Sequence, residues 1–382
     1  MPLPITPISG ITPGLFPFSV SADFFKEWVQ ITPLANFMGS EMTRPIYRHK
    51  LRDGEGLQFR VGRLNALNYK NPVYGLDQRR GAEQQPVVNE CRIDVYFKSF
   101  PVKLVGKDIL RLGTPVRLPD QIRTQLVEVC ARNLNYDLFN AMTTDLFVPS
   151  RQSSSPSFDR IAVAGPVNGK TATTRSEYDN LTTVAHAFNA FTGATYDNSG
   201  LSVDHILALK NMAMRGGADV NKEHAIQSAF IKTRAGFPMN EYIYLMDPDS
   251  YLSLLKDPAY TAATVARGTV IGSDQPQAIH GADYVGKLHD VHLYLIKDLM
   301  EYRYASQDTQ KIAAWNIFMG AGALTVGWHE FPFIVYEEDQ IERHQLFVSH
   351  EQRGSAALRF PSRIGNASAI EQGIIHSFVR IA

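Results

Sequence analysis

The chain has 382 residues, of which 44% are apolar and 10% aromatic, enough to bury a large core, and its length suggests two or three domain-sized units. Its 38 basic and 38 acidic side chains cancel to zero formal charge, which excludes the basic field a protein needs to hold nucleic acid by phosphate neutralisation. Only two cysteines occur, Cys91 and Cys130, in no CxxC or Cys/His spacing, so no zinc site is framed and a reducing cytoplasm fits best.

Met1 to Val20 is apolar, carries five prolines by Pro17 and lacks a basic leader, which argues against a signal or transit peptide. A short helix is expected from Ser21, where Phe24, Phe25, Trp28 and Val29 form an apolar stripe until Pro33 ends it. Residues 1–50 thus read as an arm that needs a surface to pack on, and a neighbouring subunit suits it. The clearest β signal follows. Cys91, Ile93, Val95 and Phe97 interleave with Glu90, Arg92, Asp94, Tyr96 and Lys98, one face dry and one wet. The expected partner strand is Gly54 to Leu64, with Leu57, Phe59 and Val61 alternating with Gln58 and Arg60. Asn65 to Pro86 between them far exceeds an ordinary hairpin turn and reads as a binding loop. A protruding two-stranded arm is marginal alone, so another subunit is expected to hold it.

Pro119 and Asp120 open a long helix through about Leu146, with Ile122, Leu126, Val129, Cys130, Leu134, Leu138 and Met142 at helical spacing. Arg151 to Asn180 is rich in Ser, Thr, Gly and Pro, a surface excursion with one strand at Ile161 to Val163. From Asn180 the pattern is mixed α/β: helices near Asn180 to Phe191, at Ser202 to Arg215 and from Asp247, and strands at Tyr242 to Met246, Val291 to Ile296 and Ala313 to Phe318. A short helix is expected after Gly320, then strands at Phe331 to Tyr336, Gln345 to Ser349, Ala356 to Phe360 and Ile374 to Ile381. The most apolar stretch, Ala313 to Trp328, contains Asn316 and Thr325 and falls short of the ~20 residues a membrane span needs, so a soluble chain with no membrane partner is expected.

Catalytic patterns are weak. Gly169-Lys170-Thr171 follows a short strand as a P-loop would, and Ile243 to Asp247 resembles the acidic strand that accompanies one, so a nucleotide hydrolase is an alternative reading. The leading glycine position is Ala164, however, and no apolar-periodic helix follows. His289, Asp290 and His292 resemble a metal cluster, but i and i+3 on a strand point to opposite faces. His329-Glu330 and His350-Glu351 lack the second histidine of HExxH, and no G-x-S-x-G elbow appears. No catalytic, cofactor-binding or metal site is proposed. The side chains picked for inter-subunit contact are Phe24, Phe25 and Trp28 in the first arm; Arg60, Arg63, Lys70, Arg79 and Arg80 in the β-arm; and Glu337, Glu338 and Asp339, an acidic strip the basic arm could meet.

Taken in order, apolar arm, long β-arm, long helix, α/β segment and final β return resemble the tailed-bacteriophage major capsid proteins, with the α+β Hong Kong 97-type fold. Local phrases resemble that family too: "EYIYLMDPDSYLSLLKDPAY" from Glu241 its strand-then-helix, "FMGAGALTVGWHE" from Phe318 its Gly-Ala-rich strand-to-helix step, and the stretch from Ser355 its closing peripheral strands. The resemblance implies an N-terminal arm at 1–50, an extended loop at 51–104, a peripheral domain with spine helix at 105–179, an axial domain at 180–331 and a peripheral return at 332–382. It implies self-assembly through pentamers and hexamers into an icosahedral head around packaged double-stranded DNA. Scaffolding, portal and decoration proteins are the partners it implies, with no cofactor, and the chain would pass from host cytoplasm to virion. About fifty residues ahead of the extended loop leave no room for a fused scaffold, so a separate scaffolding protein is expected. Some such shells crosslink a loop lysine to a peripheral asparagine with a glutamate assisting, roles that Lys70, Asn366 and Glu371 could fill. An encapsulin-like nanocompartment shell is the alternative that keeps the fold and changes the job.

Overall fold

A computed structural model describes residues 33–51, 58–64, 88–105, 118–143, 161–164, 166–167, 170–171, 200–215, 225–234, 237–266, 284–296, 313–339, 344–360 and 370–380. The helices expected at Ser21 and at Asn180 to Phe191 lie outside them. A 3-10 turn at Pro33–Phe37 leads into β1 (Met38–Gly39), β2 (Ile46–Lys50), β3 (Gln58–Leu64), β4 (Val88–Asp94) and β5 (Tyr96–Val105). Helix α1 (Leu118–Thr143) is followed by β6 (Ile161–Ala164), β7 (Pro166–Val167), β8 (Lys170–Thr171) and α2 (Val203–Arg215). Then come β9 (Phe230–Arg234), β10 (Phe237–Met246), α3 (Pro248–Leu255), α4 (Pro258–Ala266), β11 (Tyr284–Leu288), β12 (Val291–Leu295) and β13 (Ala313–Met319). The chain closes with β14 (Leu324–Asp339), β15 (His344–Ala357), β16 (Arg359–Phe360), β17 (Ile370–Glu371) and β18 (Ile374–Arg380).

Two sheets organise these elements. One has the order β1-β2-β14-β15-β5, the other β11-β12-β10-β13-β18-β6 with β9 paired to β10. Helix α1 spans roughly 39 Å at 1.5 Å per residue, and a single apolar cluster joins it to both sheets. In that cluster Leu126, Leu134, Leu138 and Phe139 meet Leu324, Val326, Trp328 and Phe347 of the first sheet and Ile243, Leu245, Trp315 and Ile317 of the second. A helix with sheets on two sides must bury more than one stripe. The i+4 row from Ile122 to Met142 is buried as expected, but the added row is Val127, Ala131 and Phe139, while Val129 is 42% exposed. The opposite face of the second sheet carries its own core, where Tyr242, Tyr244, Phe318 and Ile375 pack with Ile206, Leu209 and Leu254. Among the described residues no helix is long and apolar enough to cross a membrane.

The expected helix after Gly320 is a sharp turn into the 16-residue strand β14. Its amides find acceptors from distant segments instead of the i−4 carbonyls of a helix: Gly320 donates to Gly373, Ala321 to Gln227, Gly322 to Arg44 and Ala323 to Pro45, all at 2.8–2.9 Å. Gly322 holds φ +61, a left-handed conformation that glycine adopts without strain. Gly320 lies so close to the Gln227 carbonyl that a Cβ would sit 2.4 Å from it. This turn carries the chain from the second sheet to the first at 320–323. β18 pairs with β13 and β6 in the second sheet and does not return to the β14-β15 sheet, so residues 332–382 divide between the two.

Helix starts are set by carboxylates. Asp247 caps α3, accepting from the Asp249 amide at 3.3 Å, with Pro248 at the first helical position as the sequence suggested. Asp257 serves two helices at once: Oδ1 accepts from the Ala259 amide at 2.9 Å and Oδ2 from the Val203 amide at 2.7 Å, tying α4 to α2. With each cap worth about 1 kcal/mol, Asp257→Ala is expected to lower stability by about 2 kcal/mol in urea unfolding, and Asp257→Asn, which keeps one acceptor, by about half that.

Candidate functional site

Alternation in the sequence builds the β-arm. β3 and β4 pair antiparallel with Phe59 opposite Ile93 and Val61 opposite Cys91, and Phe59, Val61, Ile93 and Val95 are all buried. The root of the arm is held by its own chain. Phe59, Val61, Ile93 and Val95 cluster with Leu51, Leu358 and Phe360, the Phe59 ring stacks on His49 at 5.6 Å, and Arg63 lies 5.1 Å over the Phe360 ring while donating to Gln372. Two glycines make room. A Cβ on Gly327 would come within 2.3 Å of the Phe59 ring, and one on Gly354 within 2.2 Å of the Asp94 carbonyl. The root of the arm therefore has a seat on its own chain, beside the neighbouring subunit expected to hold it; the tip, 65–87, lies outside the described residues. The dry face also ends sooner than expected. After Val95 the chain leaves β3 and pairs with β15, and Phe97 on the new strand is 59% exposed.

Beneath the arm a charged quartet is enclosed between α1 and the first sheet. Arg353, 1% exposed, donates to Glu351 at 3.1 Å, to Asn133 at 2.9 Å and to Asp137; Lys98 of β5 reaches the same Asp137 oxygen. Glu351 is fully buried. Burial pushes its carboxyl above the usual range, only partly opposed by Arg353 and Lys98, and burial likewise lowers the Lys98 ammonium against the pull of Asp137. Next to them Cys130 contacts Ser349 at 3.2 Å, and burial raises its thiol to about 11, leaving it unreactive.

A second ionic cluster fixes the outer end of the second sheet. His289 and Asp290, at φ 45 and 68, form the left-handed turn between β11 and β12. Lys210 of α2 donates to the His289 carbonyl at 2.8 Å and to Asp290 at 3.1 Å; Lys287 meets Glu241 at 2.6 Å, and Glu241 meets His292 at 3.2 Å. Burial pushes the Glu241 carboxyl up, but Lys287 and His292 outweigh it and hold it below the ordinary range. His289 is thus a turn residue and His292 a buried one. Among the described residues no group of three His, Cys, Asp or Glu side chains could hold a metal ion.

The P-loop alternative is not favoured. Val167 pairs with Lys170 and Pro166 with Thr171 in two short antiparallel strands, so Lys170 lies in a strand and not at the start of a helix whose amides could cradle phosphate. The Asn-Gly pair is itself a hairpin signal. Lys170→Ala is expected to leave nucleotide binding where it stands in the unaltered chain, at the background of a dye-displacement assay.

The contact residues chosen from sequence are scattered. Arg60 is exposed and pairs across the arm with Glu90 at 3.0 Å, and Arg63 is engaged as described. Glu337, Glu338 and Asp339 lie at the far end of β14 opposite Leu346, Gln345 and His344. Glu371 lies in β17 opposite Arg359. Phe24, Phe25, Trp28, Lys70, Arg79, Arg80 and Asn366 fall outside the described residues.

No protein-family model matches the chain, and no curated protein sequence does. Solved structures do. The capsid asymmetric unit of cyanophage Pam1 superposes with TM-score 0.64 at 13% identity, over 93% of this chain and 93% of that one. The capsid of Ralstonia phage GP4 gives TM-score 0.63 at 16% identity over 91% and 90%, and the head of Helicobacter pylori bacteriophage KHP40 gives 0.60 at 11% over 91% of each. The fold is that of phage capsid subunits. It is a mixed α+β architecture, and the overlap runs nearly end to end in each of the three.

Proposed function

We propose that this chain is the major capsid protein of a tailed phage, a structural subunit and not an enzyme, which assembles with copies of itself into an icosahedral head around double-stranded DNA. The observation that carries this is the end-to-end agreement of fold with three phage capsid structures over at least 90% of both chains. In that reading β3 and β4 are the base of the extended loop, α1 is the spine helix, the β14-β15 sheet is the peripheral unit and the α/β sheet with α2, α3 and α4 the axial unit. Pentamers and hexamers are the assembly units, with scaffolding and portal proteins as partners and the virion as the final location. The basic arm residues Lys70, Arg79 and Arg80 meet the acidic strip Glu337 to Asp339 of a neighbour, which makes assembly salt-dependent.

The arm supplies the test. Leu64 and Val88 face each other in register, so residues 65–87 can be replaced by an Asn-Gly turn without disturbing the buried root. The shortened chain is expected to keep the circular-dichroism spectrum and unfolding midpoint of the intact one and to sediment as single subunits where the intact chain sediments as large particles. Full assembly by the shortened chain would remove the arm from the contact set; subunits alone from the intact chain, with its scaffold present, would count against a capsid protein.

A further inference from the structure

The two strands that grip the arm's base also grip α1, and they do so through one carboxylate. Lys98 lies on β5, which continues directly from arm strand β4; Arg353 lies on β15 beside Gly354, on which the arm's Asp94 rests. Both cations converge on Asp137 of α1, and both also approach Asn133 one turn earlier, Arg353 at 2.9 Å and Lys98 at 3.4 Å. Two positive groups on one carboxylate are tolerable in a dry site because a second carboxylate balances them. That second group is Glu351, directly opposite Lys98 in the β5-β15 register and bonded to Arg353 through Oε2. Its other oxygen, Oε1, is buried without a hydrogen-bond partner among the described residues. The charged and polar groups facing Glu351 are Arg353 on its own strand, Lys98 on β5, and Asp137, Asn133 and the Cys130 thiol on α1.

We propose that this quartet is a proton-responsive clasp between the β-arm and the long helix, with Glu351 as the group that takes up the proton and Lys98 as the group released. The unpartnered Oε1 is where the proton binds. Once Glu351 is neutral, Arg353 and Lys98 share a single negative charge, and the repulsion between them is no longer offset. Arg353 is enclosed and held by Asn133, whereas the Lys98 side chain is 23% exposed and its ammonium can turn to water. Release of Lys98 removes the polar tie of β5, and with it of the base of the arm, to α1, and leaves the packing of Phe100 and Val102 on the core as the remaining hold. The sign of the coupling makes this a switch and not acid unfolding: burial favours the neutral carboxyl, so the native chain takes up this proton at a pH where the unfolded chain does not, and stability does not fall at that step. The clasp is a property of the folded subunit and does not rest on the shell reading.

Amide hydrogen exchange on the full chain at pH 8 and pH 5, corrected for intrinsic rates, tests it. Tyr96–Val105 is expected to exchange roughly tenfold faster at pH 5, the size expected for loss of one charge-assisted hydrogen bond, while β10 and β13 stay protected. Glu351→Gln is expected to show the fast behaviour at both pH values, and Lys98→Met, which has no ammonium to release, equal exchange at both. A protonated-carboxyl infrared band that grows between pH 8 and pH 5 in the unaltered chain and is missing from Glu351→Gln completes the assignment. Equal β5 protection at the two pH values in the unaltered chain, or a pH response retained by Glu351→Gln, overturns the proposal; since Lys98→Met changes a partly exposed side chain, it keeps the test open if Glu351→Gln does not fold.

Discussion

Replacement of Arg353 with methionine is expected to lower the stability of the folded subunit by about 3–5 kcal/mol, the range for breaking a buried ion pair from one side. The guanidinium is 1% exposed and donates to Glu351 at 3.1 Å, to Asn133 at 2.9 Å and to Asp137. Methionine fills much of the volume but leaves the fully buried Glu351 carboxyl without its donor, a cost whether it holds its charge or takes up a proton. Urea unfolding with an unchanged slope and a lowered midpoint is the measurement. A second replacement, Glu351→Leu, is expected to recover a large part of the loss, because it removes the stranded carboxyl. A loss under about 1 kcal/mol in the single variant would mean that the guanidinium reaches water, contradicting the enclosed quartet.

The second large effect is a pH dependence set by His205. This imidazole on α2 is 4% exposed, its Nε2 lies 2.9 Å from the Ser377 hydroxyl, and that hydroxyl lies 3.0 Å from the Tyr244 hydroxyl. Burial lowers its pKa from 6.5 to about 4. Above pH 6.5 the ring is neutral in both folded and unfolded chains and contributes no pH dependence. Between 6.5 and about 4 the unfolded chain binds a proton that the native chain refuses, so stability falls as pH falls, by about 3 kcal/mol in all; below that window the term is constant. His205→Gln can still bond Ser377 and does not titrate. The difference in unfolding free energy between the two chains, followed from pH 7.5 to 4, should therefore shrink toward acid; a constant difference would show that the ring is already solvated.

Much of the fold was legible because local pattern and tertiary role agreed. Phe59, Val61, Ile93 and Val95 alternate and are buried, Asp247-Pro248 caps a helix, and the i+4 row of α1 faces a core. The misses occur where long-range contacts decide. Nothing local shows that the amides of 320–323 will be satisfied by Gly373, Gln227, Arg44 and Pro45, so an Ala-Gly-rich stretch reads as a helix start. β18 is apolar and could close either sheet; its register with β13 is information between strands. The quartet escaped for a different reason. Along β15 the inward positions are Phe347, Ser349, Glu351, Arg353 and Ser355, so hydropathy assigns the mostly polar row to solvent when it is the row that faces α1. A usable signal was present: a Glu and an Arg two apart on one strand face, beside Gly354, suggest a close-packed pair. Of the contact residues chosen for charge, Arg60 meets Glu90 across its own hairpin, where opposite charges meet locally before they meet a neighbour, and Arg63 reaches Gln372 and the Phe360 ring near the C-terminal end of the chain.

The central claim is that this chain builds a shell, and negative-stain microscopy with light scattering on the purified chain, alone and co-expressed with a scaffolding protein, tests it most directly. Closed shells, or sheets and tubes with a capsomer lattice, are the predicted result. A monodisperse single subunit under every condition would contradict it.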